Sequence, residues 1–176
     1  MKAKFSIFLV LLIIMLAGCA DKSQGDETTI PLDKIINGLK KSDASEYKSA
    51  FPPDYIERAA ELFVLVGENI DTKLKETFAG AIQAHEVNYG KNIRITYKLL
   101  SKKPLTKEQL SEEYLDYYVL EYELPIDSIE EAYLGRFDIK VKGDEAEETK
   151  QAEYKLIKID GIWYLHPESF MNMFSI

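Results

Sequence analysis

Two histidines and one cysteine are the side chains in this sequence of 176 residues whose types best suit proton transfer or nucleophilic chemistry. His85 precedes Gly90 at the end of a helical pattern, so we expect a surface histidine that ends a helix. His166 follows Leu165 at the end of the last predicted strand, where it could project into a pocket mouth or contact solvent. The sequence shows no His/Asp/Ser order and no nucleophile elbow, so it shows no acid–base constellation.

The acidic residues do not predict a metal site. Four of them cluster at Asp144, Glu145, Glu147 and Glu148, but they lack the alternating oxygen ligands and the turn glycine of a calcium loop. We interpret this stretch as the solvated loop of a hairpin. The sequence predicts no cofactor and no metal.

Aromatic side chains are the most informative group, because eleven tyrosines in a small protein supply rings that pack on one side and form hydrogen bonds at the tip. Tyr97, Tyr118, Tyr122 and Trp163 lie on predicted strands, and with His166 they are the candidate pocket residues. Such a pocket would be mainly apolar with a few hydroxyls, which suits a lipid, a peptide or a small aromatic ligand. The alternative for each ring is plain core packing, most of all for Trp163.

The first 18 residues have the layout of a secretory signal peptide. Lys2 and Lys4 precede an apolar run at residues 5–15, and the small residues Ala17 and Gly18 follow it. The run is shorter than the roughly 20 apolar residues of a spanning helix, and no basic stop-transfer cluster follows.

The four residues Leu16-Ala17-Gly18-Cys19 resemble the lipobox of bacterial lipoproteins. This resemblance implies cleavage between Gly18 and Cys19 and a diacylglycerol on the Cys19 sulfur, since two acyl chains give stable anchoring. An ordinary signal peptide with a chance cysteine is the alternative. We therefore expect a signal peptide at 1–18, a lipidated cysteine and flexible tether at 19–30, and a protein anchored to the cell membrane that faces outside the cytoplasm.

Composition narrows the possible partners. Loss of Lys2 and Lys4 from 22 basic residues leaves 20 against 30 acidic ones, a formal charge of about −10. Nucleic acid is excluded as a partner, because phosphate backbones require clustered Lys and Arg. With Cys19 lipidated, no thiol remains for a disulfide or a thiolate metal site. Residues 31–176 have the size of one ordinary domain.

Helical spacing of apolar residues comes first in this domain. The residues after Pro31 predict a helix that breaks at Ser42-Asp43. A short helix at 44–51 follows, then a helix with Asp54 as its N-cap that runs through Val66. Another helix begins at Asp71.

Alternating spacing follows from Asn92 onward and predicts strands. Further strands are expected at 117–124, 135–142 and 152–159, with a short helix at 106–113 and a hairpin loop at 143–150. Asp160-Gly161 predicts a tight hairpin. Helices followed by antiparallel strands give an α+β fold class, with N-terminal helices packed on an antiparallel sheet.

The ending Ile159-Asp160-Gly161-Ile162-Trp163-Tyr164-Leu165 resembles the close of the nuclear-transport-factor-2-like (cystatin-like α+β) superfamily. Small lipoproteins of Gram-positive bacteria share this ending, preceded by segments like residues 101–110 and 131–133. The resemblance implies a curved sheet wrapped around helices as a cone with a pocket, which different members use for ligand binding, dimerisation or catalysis.

Two functions follow as expectations. The first is a non-enzymatic module that binds a small apolar ligand or an envelope protein. The alternative is a small hydrolase, isomerase or lyase that uses a pocket acid with His85 or His166. The apolar end of the chain, residues 170–176, either docks on the domain or contacts a partner.

Overall fold

Helices precede strands along the chain, as the change in apolar spacing predicts, and the α+β class is confirmed. The computed structural model describes residues 25–111 and 124–172. The helices are α1 (Ile30–Lys41), α2 (Ala44–Lys48), α3 (Pro53–Leu65), α4 (Ile70–Tyr89), α5 (Lys107–Ser111) and α6 (Ser169–Asn172), with 3-10 turns at Glu27–Thr29 and Ile126–Ser128. The strands are β1 (Arg94–Pro104), β2 (Ile129–Lys142), β3 (Glu147–Ile159) and β4 (Ile162–Leu165).

The fold begins earlier than the sequence predicts. Asp26 caps the first 3-10 turn by accepting a hydrogen bond from the backbone N–H of Thr28 at 3.1 Å. Thr28 and Thr29 are buried, each 3% exposed. Residues 26–30, which were expected in the tether, therefore belong to the folded part of the chain.

Helix α1 is confirmed, with its break where predicted. Pro31 lies in the first turn, where its missing N–H costs no hydrogen bond. The helix ends because Ser42 adopts a left-handed backbone with φ of 53°. Its buried stripe includes Leu32 and Ile35, which face the sheet.

The predicted caps of the next helices are partly wrong. Asp54 is not the N-cap of α3, because Pro53, with its fixed φ and no N–H, already forms the first helical residue. The Asp54 carboxylate accepts instead from the N–H of Tyr55 at 2.9 Å. Helix α4 begins before Asp71, since Asn69 accepts hydrogen bonds from the N–H groups of the first turn.

The described strands form one antiparallel sheet in the order β1-β2-β3-β4. Strand β2 starts six residues before the predicted 135, and β3 starts at Glu147, so the β2–β3 loop spans 143–146 rather than 143–150. Bulges between Leu99 and Ser101 and between Ile129 and Glu131 shift the register. Such bulges bend strands, as a curved sheet requires. The predicted strand at 117–124 lies almost wholly outside the described residues.

Two local turn predictions are confirmed. Asp160 and Gly161 have φ values of 50° and 75°, the positive pair that a tight hairpin between β3 and β4 requires. Helix α5 begins with a reciprocal capping box, in which Thr106 N–H donates to the Gln109 side chain at 3.0 Å and Gln109 N–H donates to the Thr106 hydroxyl at 3.4 Å. The rest of the predicted helix, 112 and 113, falls outside the described residues.

Apolar clusters lie on both faces of the sheet. The inner face packs against α1 to α4 in the main core, while the outer face near β4 carries a smaller cluster around Ile157 and Tyr164. Phe170 of α6 is 2% exposed and docks on the main core. The start of the apolar C-terminal segment is therefore packed on the domain; residues 173–176 lie outside the described part. No helix in 25–111 or 124–172 combines the length and the apolar character needed to cross a bilayer.

Candidate functional site

A small apolar cavity lies between α1 and the inner face of the sheet. Its volume is about 30 Å³. One side is formed by α1 and the other by β1, β2 and β3. The lining residues are Leu32, Ile35, Ile36, Leu39, Ile95, Ile139 and Tyr154.

The chemistry of this cavity is uniform. Six of its seven lining side chains are aliphatic, and burial raises the pKa of Tyr154 to about 12, so its hydroxyl is neutral at physiological pH. A space of this size holds about one water molecule or one methyl group. A larger apolar ligand would enter only if α1 moved away from the sheet.

A larger depression at the turn between α1 and α2 is open to solvent, with a volume of about 340 Å³. Two of its charged groups, Asp43 and Lys41, already bind the helix that follows the turn. The Asp43 carboxylate accepts from two N–H groups of α2, and Lys41 pairs with Glu46 at 3.0 Å. This depression is therefore best explained by helix capping.

The predicted pocket residues do not converge on one cavity. Tyr97 lies on the inner face of β1, with its ring edge-on to Phe137 at a centroid distance of 6.1 Å and its hydroxyl 3.5 Å from the Thr29 carbonyl oxygen. It packs with the core beside the apolar cavity without lining it. Tyr118 and Tyr122 lie outside the described residues.

Trp163 lies at the other end of the inner face, where lysines meet aromatic rings. Its ring centroid is 5.7 Å from that of Tyr133, and the Lys158 ammonium lies 5.7 Å from the Trp163 ring. Lys102 lies 5.2 Å from the Tyr133 ring. We name this group the sheet-end cluster, and its members are Asp26, Lys102, Glu131, Tyr133, Lys158 and Trp163.

Each charged group of the sheet-end cluster has an opposite partner. Lys102 contacts the Asp26 carboxylate at 2.8 Å, and Lys158 contacts Glu131 at 3.0 Å. Burial alone would raise the pKa of Asp26, but hydrogen bonds from Lys102 and Thr28 hold it below its usual range. The hydrogen bond from Lys158 likewise lowers the pKa of Glu131. The cluster therefore consists of two ion pairs, each with a lysine that lies near the face of an aromatic ring.

His166 is not a solvent contact, and the expectation that it faces solvent is wrong. Its side chain is 1% exposed, at the start of the turn that joins β4 to α6. Burial lowers the pKa of His166 to about 4, against the opposing effect of Glu168. Its Nδ1 accepts the N–H of Glu168 at 3.3 Å, which fits a neutral ring.

His85 is not a surface residue either, and that expectation is also wrong. Helix α4 continues to Tyr89, so His85 lies inside the helix, 6% exposed, with its ring centroid 5.8 Å from that of Tyr89. Neither His85 nor His166 lines the apolar cavity. Among the described residues, no group of three or more His, Cys, Asp or Glu side chains is arranged to hold a metal ion.

The sequence did not reveal the sheet-end lysines or the apolar cavity. Lys102 and Tyr133 meet only because β1 pairs with β2 beyond a bulge, which shifts the register by one residue. If side chains alternated strictly along β1 from Leu99 onward, Lys102 would lie on the outer face. The bulge places Lys102 on the inner face instead. The predicted Asp160-Gly161 hairpin places Lys158 opposite Trp163. This pairing could have been read from the sequence and would have revealed part of the cluster.

No family model matches the chain, and no match is found among curated proteins.

Proposed function

We propose that this chain is a bacterial lipoprotein, anchored through Cys19 to the outer side of the cytoplasmic membrane, and that its folded part is a non-enzymatic binding module. The observation that carries the anchor is the order of basic residues, apolar run, small residues and cysteine that ends at Gly18-Cys19. The described fold already includes Asp26, the seventh residue after Cys19, so the folded part lies close in sequence to the proposed anchor.

The binding role rests on the apolar cavity under α1. Its aliphatic walls and single neutral tyrosine suit an apolar group, although none of the predicted pocket residues that the structure describes lines it. The ligand is an apolar chain or an apolar protein segment, and it inserts between α1 and the sheet when α1 moves away from the strands.

The alternative of a small hydrolase, isomerase or lyase gains no support from the described residues. A general acid or base must reach its substrate within hydrogen-bond distance. The His166 and His85 side chains are buried at 1% and 6% exposure and lie on different elements. We therefore favour the binding module.

The anchor is tested with Cys19→Ser in the full-length protein expressed in a Gram-positive host. Serine lacks the thiol that receives the lipid, so we expect the protein to leave the membrane fraction and to lose the lipid mass. Ala20→Ser is the matched control and should remain in the membrane fraction. Membrane association and lipid mass that persist in Cys19→Ser would refute the anchor.

The cavity is tested with Ile36→Phe in a soluble form that begins at Ala20. Ile36 lines the cavity, so a larger ring there should fill it and weaken binding of a fluorescent fatty acid by roughly tenfold or more, about 1.4 kcal/mol. Ile30→Phe is the control, because Ile30 begins the same helix but is 44% exposed. Equal affinity of the wild type and Ile36→Phe would place the ligand elsewhere.

A further inference from the structure

The short link between Cys19 and the fold limits which surface lies near the membrane. Six residues separate Cys19 from Asp26, and the seven Cα–Cα steps of a fully extended chain between them span at most about 25 Å. Asp26 is fixed to the sheet, because its carboxylate contacts Lys102 at 2.8 Å and also accepts from the Thr28 hydroxyl at 2.7 Å. The lipid would therefore hold the sheet-end cluster close to the bilayer.

The opposite end of the sheet is far from this attachment. Lys102 pairs with Gly135, and β2 continues from there for seven residues to Lys142. At about 3.4 Å per residue this distance is roughly 24 Å. The β2–β3 loop at 143–146 lies beyond Lys142, where its backbone bonds to the end of α4 at Tyr89.

The sheet end exposes side chains of the kinds that suit a lipid–water interface. Ile162 in β4 is 50% exposed, and Ile30, which follows the 3-10 turn that packs on β4, is 44% exposed. Aliphatic side chains, aromatic rings and lysines together are typical of interfacial contacts. The Asp26 and Glu131 carboxylates are each paired with a lysine, which limits their repulsion of headgroups.

From this geometry we propose that the sheet end is the membrane-proximal surface and contacts the headgroup region of the bilayer that holds the lipid. The contact surface consists of Ile30, Ile162 and the sheet-end cluster without Trp163, which is only 6% exposed. The β2–β3 loop is turned away from the membrane. This orientation rests on the proposed Cys19 anchor.

The test uses energy transfer from a labelled protein to labelled lipids. The chain has one cysteine, which is lipidated in the proposed mature form, so Lys103→Cys or Glu145→Cys adds a single free thiol for a donor dye. Both positions are exposed, one at the sheet end and one in the β2–β3 loop. Each lipidated variant is placed in phosphatidylcholine–phosphatidylglycerol vesicles that carry a headgroup acceptor.

We expect stronger transfer from position 103 than from position 145, equivalent to a donor–bilayer distance that is shorter by roughly 20 Å. Equal transfer from the two positions, or stronger transfer from 145, in protein that floats with the vesicles overturns the orientation alone. Protein that neither floats nor carries the lipid mass overturns the anchor, and the orientation with it.

The contact itself is tested with Ile162→Glu on the Lys103→Cys background. A charge at an interfacial aliphatic position should weaken the contact and lower transfer from position 103. Val87→Glu is the matched control, since Val87 is a 78% exposed aliphatic residue on α4. An equal change in both variants, or none in Ile162→Glu, overturns the headgroup contact.

Discussion

His166 shows how burial changes the role of a residue whose type suggests catalysis. The ring lies under the turn into α6, and its Nδ1 accepts a backbone hydrogen bond from Glu168. Glu168 in turn contacts Lys155 at 3.2 Å. These contacts make His166 a neutral structural residue that holds the end of β4 against the final helix.

The neutral state of His166 makes the stability of the protein depend on pH. Its pKa is about 4 in the fold and near the ordinary 6.5 in the unfolded chain, so the unfolded chain binds more protons between these values. Stability is full above pH 6.5 and falls as the pH drops toward 4. We expect the free energy of unfolding to decrease by roughly 1 kcal/mol from pH 7 to pH 5.5 through this residue.

Urea denaturation at the two pH values measures this loss. His166→Asn keeps an acceptor for the Glu168 N–H but cannot take up the proton. The variant should therefore lose most of the pH dependence, whatever its absolute stability. A pH dependence equal to that of the wild type would show that His166 is not the group that titrates.

At the scale of elements, α6 packs on the domain through the aromatic side chain of Phe170. Phe170 lies with ring centroids 5.0 Å from Phe51 and 5.6 Å from Tyr55, and the Tyr47 hydroxyl donates to its carbonyl oxygen at 3.2 Å. Phe170→Ala should cost about 3 to 5 kcal/mol of stability, measured by urea denaturation. Ile162→Ala, at a half-exposed position, should cost far less; similar losses in the two variants would argue against the docking.

The junction between α4 and the β2–β3 loop depends on a close approach of two backbones. A Cβ at Gly143 would lie 2.1 Å from the Tyr89 carbonyl oxygen, whereas a Cβ at Gly80 in α4 would meet no atom within 4 Å. Gly143→Ala should therefore lower the melting temperature. Gly80→Ala should raise stability by about 0.5 to 1 kcal/mol, because alanine is the better helix former. Calorimetry that showed the same sign for both variants would contradict this packing.

The elements show which features local sequence can predict. The Asp160-Gly161 hairpin and the Thr106–Gln109 capping box were predicted because neighbouring residues alone determine them. Helices α3 and α4 begin a residue or two earlier than predicted, because Pro53 starts the first and Asn69 caps the second. The start of β2 at Ile129 was missed, since strand length is fixed by pairing with β1 and β3 rather than by local pattern.

At the scale of the whole molecule, the α+β order could be predicted from the sequence, because the spacing of apolar residues changes once along the chain from helical to alternating. The candidate site could not be predicted as well. The apolar cavity is lined by residues of α1 and of three strands, so no single segment encodes it. The candidates Trp163 and Tyr97 both lie on the inner face, but they pack in different parts of it and share no cavity.

At the same scale, the six residues between Cys19 and Asp26 limit the reach of the proposed anchor. With Cys19 lipidated as we propose, a linker of this length would keep Asp26 within about 25 Å of the bilayer. Display at the membrane, rather than free diffusion, is the central claim.

The mass of the mature N-terminus tests that claim most directly. Full-length protein extracted from host membranes is digested, and its N-terminal peptide is sequenced by mass spectrometry. The account predicts a peptide that begins at Cys19 and carries a diacylglycerol on sulfur. A peptide that begins at any other residue, or an unmodified Cys19, would contradict it.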